Sequence, residues 1–104
     1  MKRIYISGQV TGRDYKTNYQ QFRDAEIALN DLGYQAVNPF QEVRDWLYGN
    51  PTHEQAMKFC IHILTDCDGV ALLPGWRESQ GALLEHTVAY ECGLEVRPLA
   101  GWLR

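Results

Sequence analysis

Short strand-like segments alternate with longer segments of helical periodicity along almost the whole chain. The strand-like segments are residues 3–7, 34–38, 70–73 and 94–99. The third of these is apolar throughout, which is typical of a central strand in a parallel sheet. Alternation of this kind predicts parallel pairing through right-handed crossovers. We therefore expect a small doubly wound α/β fold (flavodoxin- or Rossmann-like), a three-layer sandwich whose mostly parallel four-stranded sheet has the order 2-1-3-4.

The intervening segments carry helix signals at their ends. The first helix is expected from Asn18 to just before Gly33, with apolar residues at helical spacing. A short second helix is expected over residues 42–48. Thr52 opens the third helix and stands three residues before Gln55, which is a capping-box pattern. Ser79 is expected to cap a fourth helix that ends near Cys92. The loops after the first and third strands, residues 8–18 and 74–78, should then border a crevice.

Bulk properties narrow the class of protein. A chain of 104 residues fits one domain, residues 1–104, and a net charge of −3 without a basic run argues against binding a nucleic-acid polymer. The first residues lead into a short strand-like segment rather than the long apolar region expected of a signal peptide, and no apolar stretch approaches the roughly 20 residues needed to span a bilayer. Three cysteines without CxxC spacing favour reduced thiols. The histidines lack spacing for a shared metal site. We expect a cytoplasmic protein that needs no cofactor and does not bind a membrane.

Two polar segments could carry chemistry. In the first, which contains Gly8 and Gly12, glycines after a strand would let backbone N–H groups approach an anion, or would simply form a flexible turn. In the second, Ser79 at a helix start could hold a phosphate or carboxylate, and Gly81 leaves space beside Glu85. A solvated or salt-bridged Glu85 is the alternative. Trp76, in the loop after the third strand, could stack on a base or cover the sheet end.

Four short segments together resemble the nucleoside 2-deoxyribosyltransferase-like superfamily. They are Ile4-Tyr5-Ile6-Ser7-Gly8, Val37-Asn38-Pro39, Leu73-Pro74-Gly75-Trp76 and Ser79-x-Gly81-x-x-x-Glu85. The resemblance covers almost the whole chain, and it is greatest to short members of unknown function that are common in phages and prophages.

The resemblance implies a catalytic pair. It makes Glu85 the nucleophile that attacks the anomeric carbon of a deoxyribose, with Tyr5 as its hydrogen-bond partner. Ser79 corresponds to a serine that binds the 5′-phosphate. The superfamily's acidic residue on the preceding helix falls at Cys60, a position that helical periodicity alone assigns to the core. Glu78 or Asp14 are the loop residues that could replace it.

The resemblance also implies a set of pocket residues and an assembly. The expected substrate-binding residues are Ser7, Gly8, Gln9, Val10, Gly12, Asn38, Trp76, Ser79 and Gly81. Related proteins commonly form dimers or larger homo-oligomers, and we expect the same here.

Three functions remain open at this point. The first is cleavage of the N-glycosidic bond of a deoxyribonucleoside 5′-monophosphate, by hydrolysis or base exchange. The second is a module that binds or senses a nucleotide or nucleoside without cleaving it, which the cysteine at position 60 favours. The third is a phage accessory protein that binds a protein partner through exposed aromatic residues, namely Tyr15, Tyr19, Trp46 and Tyr48.

Overall fold

The computed structural model describes residues 1–10, 14–47 and 49–104. Its sheet has four parallel strands in the order β2-β1-β3-β4. The strands are β1 (Arg3–Ser7), β2 (Gln35–Val37), β3 (Gly69–Leu72) and β4 (Glu95–Pro98). The predicted doubly wound α/β fold and its strand order are therefore confirmed.

Alternation along the central strands divides the core into two layers, because successive side chains point to opposite faces of a sheet. Ile4 and Ile6 of β1 are fully buried against α1 (Tyr15–Asp31) and the C-terminal α5 (Leu99–Trp102). Tyr5, between them, faces the layer formed by α3 (His53–Thr65) and α4 (Gln80–Glu91). These helices cover both faces of the sheet and complete the three layers. In the chain, α2 (Pro39–Trp46) follows β2.

The two predicted helix caps in the second half of the chain are present. The Thr52 side chain accepts from the Gln55 backbone N–H, and the Gln55 side chain accepts from the Thr52 backbone N–H, which completes the capping box. The Ser79 hydroxyl accepts a hydrogen bond from the Ala82 backbone N–H at 3.2 Å. A cap of this kind contributes about 1 kcal/mol to helix stability.

Two helices begin earlier than predicted. α1 starts at Tyr15 rather than Asn18, because the Asp14 carboxylate accepts from the Thr17 backbone N–H. α2 starts at Pro39 rather than at residue 42, because Asn38 caps it. Proline suits this position, since the first helical N–H has no intrahelical partner. The predicted end of this helix at Tyr48 lies outside the described residues.

The chain end also differs from its prediction. The last strand ends at Pro98, and Leu99 begins the short helix α5, which the sequence analysis did not predict. The Trp102 indole N–H donates to the Val70 carbonyl at 2.8 Å, so α5 is held against β3. A Cβ at Gly69 would lie 2.7 Å from the Trp102 ring, which explains a glycine at the start of that strand. Across the described part of the chain, no helix has the length and apolarity required to span a bilayer.

Candidate active site

The Glu85 carboxylate is buried and is held by two residues of β1. Its Oε2 accepts a hydrogen bond from the Tyr5 hydroxyl at 2.6 Å, and its Oε1 accepts one from the Ser7 hydroxyl at 2.7 Å. Tyr5 and Ser7 are two residues apart on a strand, so both side chains point to the face that α4 covers. Glu85 has only 7% of its surface exposed. The alternative of a solvated Glu85 is therefore excluded.

Burial and hydrogen bonding act in opposite directions on Glu85. Removal from water raises the pKa of this carboxyl group, and the hydrogen bonds from Tyr5 and Ser7 lower the pKa in part. Burial and the neighbouring Glu85 charge hold the pKa of Tyr5 well above its ordinary value. The phenol therefore keeps its proton at neutral pH and remains a hydrogen-bond donor to the carboxylate.

Cys60 is the next side chain in this buried arrangement. It belongs to the apolar cluster between the sheet and α3, and its thiol interacts with the Tyr5 hydroxyl. Burial raises the pKa of Cys60 to about 11. The residue is thus both the predicted core residue and a neutral thiol next to the Tyr5–Glu85 pair.

A cavity of about 940 Å³ opens above these residues, at the carboxyl end of β1. Its lining includes Tyr5, Cys60 and Glu85, the segment 8–10 after β1, and the first turns of α3 and α4. The sequence predicted a crevice between the loops after β1 and β3. Of the segment 74–78 after β3, only Glu78 contributes to the lining of this cavity.

Five of the predicted substrate-binding residues line the cavity: Gly8, Gln9, Val10, Ser79 and Gly81. The two glycines also have packing reasons. A Cβ at Gly8 would lie 3.0 Å from the Leu73 side chain, and a Cβ at Gly81 would lie 3.3 Å from the Met57 Sδ. Both contacts are tighter than ordinary van der Waals distances, so the larger side chains would have to move.

Three other predicted binding residues have different surroundings. Ser7 is buried, and its hydroxyl donates a hydrogen bond to Glu85. Asn38 caps α2 and donates from its amide to Glu26 at 3.2 Å. Trp76 stacks on His86 with ring centroids 4.7 Å apart and lines a second hollow of about 500 Å³. These three residues do not line this cavity, because side-chain direction cannot be read from position after a strand, and their contact with a substrate stays a prediction. Gly12 lies outside the described residues.

A wall of aromatic side chains also lines the cavity, and the sequence did not predict it. It consists of Tyr15, Tyr19 and Phe22 on α1 and Phe40 on α2, with Phe22 and Phe40 edge to face at 4.9 Å between ring centroids. Tyr15 and Tyr19 stack at 6.3 Å and both pack edge to face on Phe40. The spacing of positions 15, 19 and 22 is helical. A predicted start of α1 at Tyr15 would therefore have placed these three residues on one face of the helix.

Besides the buried Glu85, the ionic and histidine side chains that line the cavity among the described residues are exposed. Arg44, His53 and Glu78 belong to its lining, on α2, at the start of α3 and just before α4. Glu78 and Asp14 were suggested as replacements for the acidic residue that the superfamily has where this chain has Cys60. Of these two, Glu78 lines the cavity. Asp14 instead serves as the cap of α1.

Comparisons with known proteins give a fold neighbour and a family. The chain is similar to the solved structure of Clostridium botulinum CMP N-glycosidase, BcmB, with a TM-score of 0.62 and 19% identity over 91% of this chain. It spans 66% of that chain, just under two thirds, and at this identity the similarity shows a common fold. No curated protein matches. The model of a family described as a domain of unknown function (DUF4406) matches residues 2–97, and the chain belongs to that family.

Proposed function

We propose that this protein cleaves the N-glycosidic bond of a deoxyribonucleoside 5′-monophosphate, by hydrolysis or base exchange. The observation that carries the proposal is the Glu85 carboxylate, buried at the edge of a nucleotide-sized cavity with both oxygens oriented by β1 hydroxyls. The fold neighbour that is a CMP N-glycosidase supports the same class of reaction.

The chemistry suits a buried carboxylate. Departure of the base leaves positive charge on the anomeric carbon, and an adjacent carboxylate stabilises that charge and then forms a covalent ester with the carbon. Water or a second base attacks the same carbon and releases the carboxylate, as in retaining glycoside hydrolysis. Tyr5 and Ser7 each use one lone pair of Glu85. No other side chain among the described residues bonds to this carboxylate, which leaves its remaining lone pairs for the sugar.

The start of α4 is suited to the phosphate. Ser79 accepts from the Ala82 N–H, so the proton of its hydroxyl is available for a phosphate oxygen. The first N–H groups of α4 carry partial positive charge and favour an anion at this end of the helix. Arg44, on α2, brings a guanidinium to the same cavity, and its Nε also lies 3.6 Å from the Asp45 carboxylate.

The aromatic wall is suited to the base. Tyr and Phe rings offer flat apolar faces, and stacking of a nucleobase on such a ring contributes about 1–3 kcal/mol per base. Because Phe40 packs against Phe22, Tyr15 and Tyr19, the wall keeps its shape without a ligand. A nucleotide could then place its phosphate at Ser79, its sugar at Glu85 and its base toward this wall.

Incubation with the four deoxyribonucleoside monophosphates and the four ribonucleotides, followed by chromatography for free base, tests the proposal. We expect release from at least one deoxyribonucleotide, and loss of that release by at least about 100-fold in Glu85→Ala. Leu84→Ala is a matched control, because Leu84 is next to Glu85 but about half exposed. No release from any nucleotide, or release that persists in Glu85→Ala, would overturn the proposal.

The second candidate is a nucleotide-binding module without catalysis, and Cys60 favours it. A neutral thiol with a pKa of about 11 stands where the resemblance places an acidic residue. Calorimetry that detects nucleotide binding, together with no free base after prolonged incubation, would support this candidate. Binding accompanied by release of base would exclude it.

A further inference from the structure

Among the residues that the structure describes, the proton donors at Glu85 are three weak acids. The Tyr5 phenol and the Ser7 hydroxyl contact the carboxylate directly, and the Cys60 thiol interacts with Tyr5. Burial raises the pKa of both Tyr5 and Cys60, the latter to about 11. At neutral pH each of these groups is a hydrogen-bond donor but a poor source of a proton for a departing base.

Two further side chains that can donate a proton, His53 and Glu78, line the described part of the cavity. His53 precedes Cys60 by seven residues on α3, which corresponds to roughly 10 Å along a helix axis at 1.5 Å per residue. Glu78 lies next to Ser79, at the end where the phosphate is proposed to bind. Both residues are exposed. The base, in contrast, is bonded directly to the sugar carbon that lies at Glu85, so the proton would be needed close to Glu85.

This arrangement makes the charge of the base decisive. A neutral base takes the electron pair of the broken C–N bond and leaves as an anion unless an acid protonates it. A base that already carries a positive charge takes the same electron pair and leaves neutral, so no proton is needed.

The aromatic wall favours a cationic base as well. A planar cation is attracted to the faces of Tyr and Phe rings, by about 0.5–1 kcal/mol at exposed sites and more where water is excluded. Tyr15 and Tyr19 provide stacked rings beside the cavity, and Phe40 closes the wall.

We propose, as an extension of the proposed function, that the preferred substrates are nucleotides whose base is positively charged, such as an N-alkylated purine or pyrimidine. In the first step the C–N bond breaks, its electron pair neutralises the base, and a Glu85 oxygen bonds to the anomeric carbon. In the second step water bonds to that carbon, Glu85 leaves as a carboxylate, and the proton of the water passes to solvent. The products are a sugar phosphate, a neutral base and one proton.

Two matched pairs of nucleotides test this preference. N7-methylated dGMP is compared with dGMP, and N3-methylated dCMP with dCMP. For each nucleotide, the rate with enzyme is divided by the rate without enzyme, and this ratio is the acceleration. We expect the acceleration by the enzyme to be about 100-fold larger for the methylated member of at least one pair, since a general acid typically contributes 10²–10⁴-fold.

Two variants examine the alternative acids. Both residues line the cavity, so His53→Ala and Glu78→Gln can raise KM, and the readout is kcat for a methylated nucleotide at saturating concentration. We expect that kcat to fall less than about tenfold in each variant, whereas a fall of about 100-fold or more would show that the residue supplies a required proton and would overturn the inference.

The outcomes separate this inference from the function on which it rests. If dGMP or dCMP is accelerated as strongly as its methylated partner and the activity depends on Glu85, the substrate preference is overturned and the N-glycosidase function stands. If no member of either pair is accelerated while another deoxyribonucleotide is cleaved, the preference is again overturned. If no nucleotide at all is cleaved, the proposed function fails first.

Discussion

The Tyr5 hydroxyl and the Glu85 carboxylate are 80 residues apart in the chain and 2.6 Å apart in the structure. The contact joins a central strand to the helix that covers it, so it depends on the fold rather than on local sequence. A carboxyl group enclosed in this way costs stability when it is ionised. That cost is measurable even without a substrate.

Replacement of Glu85 by Gln should stabilise the protein at neutral pH. The pKa of Glu85 is raised above its ordinary value of 4.5, so its contribution to stability is complete below pH 4.5 and is lost as the pH rises through the folded-state pKa. Glutamine does not titrate and can still bond both hydroxyls. We expect its advantage in Tm to grow with pH to several degrees, since about 1 kcal/mol shifts a domain of this size by about 4–8 °C.

Thermal unfolding between pH 4 and pH 8 measures this difference. Glu91→Gln is the control, because Glu91 lies near the end of the same helix and is exposed. A pH-independent difference between Glu85→Gln and the native chain would contradict the prediction.

Replacement of Tyr5 by Phe should move the pH dependence of the proposed reaction. The Tyr5 hydrogen bond lowers the pKa of Glu85, so its removal raises that pKa and fewer molecules carry the ionised nucleophile at a given pH. We expect the acidic limb of the kcat/KM profile to shift to higher pH, and the maximum to fall by about 10–100-fold. Tyr90→Phe is the control, because Tyr90 is 72% exposed. An acidic limb that does not move would show that Tyr5 leaves the ionisation of Glu85 unchanged.

The fold could be predicted from the sequence because its signals are local. Alternation of strand and helix patterns, the capping residues and the apolar third strand each act over a few residues, and a parallel sheet with crossovers follows from them. The starts of α1 and α2 were harder to predict from the sequence, because Asp14 and Asn38, which cap these helices, belong to segments whose composition is typical of loops.

The site could be predicted only in part, because it depends on the direction of side chains. Glu85 and Tyr5 were identified through the resemblance. Ser7 was predicted to bind the substrate, whereas in the structure its hydroxyl donates a hydrogen bond to Glu85 and orients it. Nothing local distinguishes these two uses of a serine. The aromatic wall forms only when α2 brings Phe40 against α1, which no spacing within α1 indicates.

The outer face of α4 provides a prediction about assembly. Leu83 and Tyr90 are 41% and 72% exposed on this helix and, at a separation of seven residues, lie on one side of it. Exposed apolar side chains that lie together commonly mark an interface. We expect a homodimer through this face, and a shift to the monomer mass in the double substitution Leu83→Glu and Tyr90→Glu.

Light scattering at several protein concentrations measures the mass. Ile27→Glu is the control, because Ile27 is also exposed, at 44%, but lies on α1. A chain that stays monomeric at every concentration, or a dimer that survives the double substitution, would contradict the assignment of the interface to α4.

Replacement of Asn38 by Ala distinguishes a structural from a binding role. The Asn38 side chain accepts from the Phe40 N–H at 3.0 Å and donates to Glu26 at 3.2 Å, both within the protein. Loss of the cap should destabilise the protein by about 1 kcal/mol. Because Asn38 does not line the cavity among the described residues, KM for any substrate should change less than twofold, and Asn38→Ser should recover most of the stability. A large rise in KM with little change in unfolding free energy would instead place Asn38 in contact with the substrate.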